Sequence, residues 1–169
     1  MRRPARLFLA GLLLAAAACA ADRGSTAAAP AAPTKAAAPA VSGPRVVMPN
    51  GTVVSVEIAT TDAEKAQGLM FRESMPRNAG MVFPFEGLEI RPFWMKNCHF
   101  PLDLVYATKD GTVVEVIKAL APCPPDAAPC PNTAPKEKSD TVLEVNAGVA
   151  DATGAVPGAK LKWVEIPGR

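Results

Sequence analysis

Apolar and polar positions alternate between residues 52 and 59, with Val54, Val56 and Ile58 set against Ser55 and Glu57. Side chains repeat every second residue along a strand, so this stretch predicts a strand with one buried face. Val46, Val47 and Met48 lie before it, across Pro49-Asn50-Gly51. Asn-Gly between two apolar runs predicts a hairpin. The period then changes. Ala63, Ala66, Leu69 and Met70 fall on one helical face, and Thr61 with Glu64 forms a capping-box pattern ahead of them. A short helix is predicted over 62–70. Residues 75–80 read as a loop, and strands follow at 81–85, 92–98, 102–107, 112–120, 141–146 and 160–166. Lys109-Asp110-Gly111 turns between two of them, 122–135 is a loop rich in Pro and Cys, and Ala147 to Thr153 suits a helical turn closed by Gly154. Many short strands with one or two short helices predict a mainly β fold, a single compact β-sandwich or partly open barrel.

The first 44 residues follow neither period. Arg2, Arg3 and Arg6 precede an apolar run from Leu7 to Ala18. A basic flank before a short apolar run predicts a signal peptide over 1–18, since the run is too short for a stable membrane span. Cys19 directly follows that run, the position of the lipidated cysteine in bacterial lipoproteins, although Ala16 stands where leucine is usual. Ordinary cleavage in the alanine tract is the other reading. Residues 19–44 are dominated by Ala and Pro, cannot bury enough to offset ordering, and are expected to form a disordered tether. The expected arrangement is an exported protein of the bacterial cell envelope. Its domain, 45–169, would be held to a membrane through a lipid on Cys19, facing the periplasm or the cell exterior.

Charge refines this picture. The chain carries a formal +2, but residues 43–169 hold thirteen Lys and Arg against fifteen Asp and Glu. The domain therefore offers no basic excess, which argues against nucleic acid as a partner.

One block stands out for its density of chemistry: Gly68-Leu69-Met70-Phe71-Arg72, Gly80-Met81-Val82-Phe83, Phe93-Trp94-Met95-Lys96-Asn97, Pro101-Leu102-Asp103 and Asp110-Gly111. These motifs resemble the bacterial and archaeal family called domain of unknown function 192, also known as uncharacterised protein family 0127. The resemblance runs from about Asn50 to Ile166. It implies a compact, mainly β, sandwich-like fold and no particular reaction. Cys98 departs from it, standing where such proteins more often carry threonine, and the loop with Cys123 and Cys130 is similar to one in a subset of relatives.

Four cysteines are present. Cys123 and Cys130 share a proline-flanked loop, and in an oxidising compartment a disulfide between them is expected. Their spacing is not a usual zinc spacing and no histidine is near, so no metal or cofactor is assigned. Cys98 is then the odd thiol. It is expected to be buried and inert, with a thiol or copper protein as an alternative. If 92–98 is one strand, Met95 and His99 share a face but lie about 13 Å apart, which argues against a copper site there.

The polar members of the block carry the functional expectation. Arg72, Trp94, Lys96, Asn97 and Asp103 either brace the fold, through Arg72–Asp103 or Lys96–Asp103 pairs, or line a ligand pocket. In the second case Trp94 is the platform, with a sugar ring or small anion as ligand. No catalytic residue is assigned. A non-catalytic binding or accessory module is expected, with an enzyme of envelope carbohydrate or peptide, using Asp103 with Lys96 or Arg72, as the alternative.

Overall fold

A computed structural model describes residues 42–124 and 128–169. The signal peptide, Cys19 and nearly all of the tether lie outside the described residues. Nine strands and two short helices follow in order: β1 Arg45–Val47, β2 Val53–Ile58, α1 Asp62–Gln67, β3 Ala79–Glu89, β4 Phe93–Trp94, β5 Leu102–Ala107, β6 Val113–Leu120, β7 Asn132–Thr133, β8 Ser139–Asn146, α2 Val149–Thr153 and β9 Lys162–Val164. The mainly β expectation holds. Seven strands form one sheet in the order β6-β5-β8-β3-β2-β1-β9, while β4 and β7 form a separate ribbon.

Every sheet pair is antiparallel except β2 with β3. A parallel pair needs a crossover, and α1 supplies it. Thr61 accepts from the Glu64 amide, and the Glu64 carboxylate accepts from the amides of Thr60 and Thr61. These bonds hold the Glu64 carboxyl down at about 2. The helix stops earlier than the apolar spacing predicts. Gly68 takes φ 48°, ψ −129°, and its amide closes back on the Glu64 carbonyl at 2.8 Å.

The sheet curls until its two edges touch. Thr112 bridges Lys160 beside β6 and β9, and Leu161 donates to the Gly111 carbonyl at 2.8 Å. A Cβ on Gly111 would lie 2.1 Å from the Leu161 carbonyl oxygen, so only glycine permits this approach. The edges meet at that seam and the barrel is not closed along its length.

All six residues of β5 are buried. Leu102, Leu104 and Tyr106 pack with Phe83, Met81 and Val142 in one cluster, while Val105 and Ala107 join Val46, Val54, Leu143 and Val145 in the other. The strand alternates between two cores, as a central strand covered on both faces must.

The strand expected over 92–98 is a correction. It pairs only at Phe93 and Trp94, with Thr133 and Asn132. Beyond Trp94 the chain turns: the Cys98 amide reaches the Met95 carbonyl at 3.2 Å, and Asn97 sits at φ 53°. Asparagine tolerates this left-handed conformation better than most residues, so the motif makes a turn where alternation predicts a strand. Pro101 then stands directly before β5.

Candidate functional site

The turn after β4 ties three segments together. The Met95 carbonyl accepts from both Cys98 and Cys123, each at 3.2 Å, which fixes the start of the cysteine loop against the motif. Phe71, in the exit from α1, donates to the Asn97 carbonyl at 2.8 Å, and the Asn97 amide nitrogen lies 3.9 Å from the Met70 sulfur. His99 Nδ1 meets Glu73 Oε1 at 2.9 Å. Met95 itself is buried, leaving the Lys96-Asn97 tip exposed.

These contacts frame a groove of about 470 Å³ lined by Trp94, Lys96, Asn97, Cys98 and His99 with Cys123, Pro124, Pro129 and Cys130. The Trp94 indole is 39% exposed and the Lys96 ammonium lies 5.2 Å from its ring centroid. Cys123 and Cys130 have Cα atoms 5.9 Å apart, a separation suited to a disulfide, and Cys98 is the free thiol among the described residues.

A second, smaller chamber of about 20 Å³ shares Trp94 and Cys98 with the groove and has Lys65, Gly68, Phe83, Phe93 and Glu144 among its walls. Glu144 projects from the middle of β8. In the sheet register it stands opposite Met81 on β3 and Leu104 on β5, so its neighbours are apolar. Only 5% of it is exposed, and Oε2 has no hydrogen-bond partner. Burial pushes its carboxyl up to about 8. The Cys98 thiol is raised to about 11, first by burial and then by Glu144. The shift disfavours the thiolate, while Cys98 itself is only partly buried, short of the burial expected of it, and faces the groove.

The family-model search and the solved structures agree on kinship. The model of domain of unknown function 192, described as an uncharacterized ACR, matches residues 45–163. The chain belongs to that family. Among solved structures it is similar to a protein of unknown function from Novosphingobium aromaticivorans DSM 12444, at 33% identity and a TM-score of 0.62, covering 76% of this chain and 94% of that one. It is also similar to a Sinorhizobium meliloti 1021 protein provisionally named a transcription regulator, at 30% identity and a TM-score of 0.62, covering 73% and 93%. No curated protein matches the sequence.

Of the five polar and aromatic residues expected to act together in this domain-192 chain, the structure gathers Trp94, Lys96 and Asn97. Arg72 does not join them. It holds Glu57 with two bonds, at 2.5 and 2.8 Å, beside a separate depression formed with Ile58, Gln67 and Met81. Asp103 is buried on the opposite face of β5, opposite Val145. Its two oxygens accept from the amides of Ala119, at 2.8 Å, and Ala150, at 3.0 Å. The second bond satisfies the first turn of α2, whose cap, Gly148, has no side chain to do so. Neither the Arg72–Asp103 nor the Lys96–Asp103 pair forms, and the catalytic pairing of Asp103 with either cation is not assembled. Copper is no better served. Met95 is in the core, His99 is turned to Glu73, and among the described residues no three of His, Cys, Asp and Glu stand together as a metal site.

Sequence reasoning missed Glu144. A signal was present: one acid within Thr141-Val142-Leu143-Glu144-Val145, a run otherwise suited to a strand buried on both faces.

Proposed function

We propose that this domain is a non-catalytic binding module of the cell envelope, carried on a lipid at Cys19, and that its ligand rests in the Trp94 groove. The observation that carries this is the joint placement of a half-exposed indole, the Lys96 ammonium and the Asn97 tip along one groove. An aromatic platform beside a few polar groups suits a sugar ring. The chain has only two tryptophans, Trp94 and Trp163, so each indole N–H gives its own NMR signal. Titration with N-acetylglucosamine and its oligomers is expected to move the Trp94 signal and leave that of Trp163. If neither moves while no groove amide responds, the groove is not a saccharide site. The anchor is tested by replacing Cys19 with Ser. The variant is expected to leave the membrane fraction and lose lipid labelling, and a wild type that is already soluble and unlabelled would refute the anchor.

A further inference from the structure

Glu144 is an acid where the sheet gives it nothing to bind. Its partners in the sheet, Met81 and Leu104, are apolar, and among the described residues Oε2 is buried without a hydrogen bond and no salt bridge reaches it. The Tyr106 hydroxyl, raised by burial and by Glu144, is likewise buried without a partner. Leaving such groups unpaired is costly, so a buried acid without a partner marks a place where one is missing.

The chamber beside it has the shape of a site. Its volume of about 20 Å³ exceeds the roughly 10–15 Å³ that one water needs, so it admits one group of that size. Gly68 forms part of the wall. A Cβ there would make ordinary contact, 3.4 Å from the Phe83 ring and 3.9 Å from Glu144 Oε2, so this turn borders the acid directly. Phe83 and Phe93 meet edge to face at 5.1 Å, as Phe93 and Tyr106 do at 6.2 Å. A buried acid among aromatic rings suits a cation, because the carboxylate attracts positive charge and the rings around it exclude water. Lys65 lines the chamber, but its ammonium is engaged by the Phe85 ring at 4.9 Å; Arg91 lies over the same ring at 4.5 Å and Lys96 over Trp94.

We propose that the chamber beside Trp94 is a subsite for a primary ammonium group, with Glu144 as its counter-ion, and that the groove ligand is an amine-bearing molecule. This rests on the groove being a ligand site, and adds the amine. Binding would transfer the Glu144 proton to solvent and leave a carboxylate facing the ammonium. Apart from that proton moving from the carboxyl oxygen to water, no bond is formed or broken.

The test compares 6-amino-6-deoxyglucose with glucose, on protein carrying ¹³C at the glutamate carboxyl carbons. The amino sugar is expected to lower the Glu144 titration midpoint by at least one pH unit, and glucose to leave it in place. Glu144→Gln is expected to weaken the amino sugar at least tenfold and glucose not at all. The wild-type titration decides the matter even if that variant folds poorly. Groove amides that respond equally to both sugars, with Glu144 unmoved, would keep the groove and overturn the amine subsite. Silence from both sugars would overturn both ideas. An amino sugar that binds Glu144→Gln as well as wild type would also overturn the subsite.

Discussion

At the scale of single residues, Asp103 and Glu144 lie on neighbouring strands and have opposite circumstances. Asp103 is buried with both oxygens occupied, whereas Glu144 is buried with one oxygen empty. Asp103→Ala orphans two backbone amides and is expected to cost about 2–4 kcal/mol in denaturant unfolding, with Asp103→Asn costing less. Glu144 gives a pH signature. Its native carboxyl titrates near 8 against an ordinary value of 4.5. Between those values the folded chain holds a proton that the unfolded chain has released, so stability falls as pH rises from about 4.5 to about 8 and levels above that. At 1.36 kcal/mol per unit, the loss is on the order of a few kcal/mol. Urea melts at pH 5 and pH 8 would read it, and Glu144→Gln is expected to flatten the difference. A wild type equally stable at both pH values, after Gln leaves the profile unchanged, would show that the acid is solvated. Trp94, Lys96 and Asn97 were legible as a group because they adjoin in sequence and a turn preserves adjacency. Glu144 was not legible as their neighbour, because it lies far along the chain and only the folded molecule brings it and Trp94 to one chamber.

Among elements, the helices and most strands follow from periodicity and capping. The exception is the segment after Pro92. Alternation there reflects a turn whose tip is exposed and whose Met95 is buried, a pattern that a strand also produces. Arg72 was misassigned to Asp103 for a related reason. Sequence shows that a cation needs a partner, but the parallel pairing of β2 with β3 decides that Glu57 is the near one. Both side chains of that pair are partly exposed, so Arg72→Ala is expected to cost under about 1 kcal/mol in thermal melts. The cysteine loop makes a covalent forecast. Peptide mapping without reduction is expected to find Cys123 joined to Cys130 and Cys98 free. A link from Cys98 to either would mean that the Met95 turn rearranges on oxidation.

For the molecule as a whole, the seam at Gly111 is the point of greatest leverage. Any side chain there meets the Leu161 carbonyl, and the backbone already sits at φ 84°. Gly111→Ala is expected to destabilise by about 2 kcal/mol or more and to strip hydrogen-exchange protection from Val113 and Leu161. If those amides stay protected, the edges are held by packing and not by the bridge.

The sheet order has a consequence for the birth of the protein. β1, the first strand of this sheet to be made, lies between β2 and β9, the last strand of it to be made. A chain emerging from its N-terminal end must therefore carry β1 with one edge bare until β9 has followed. No early piece can finish the sheet, so the domain is committed to folding late and all at once.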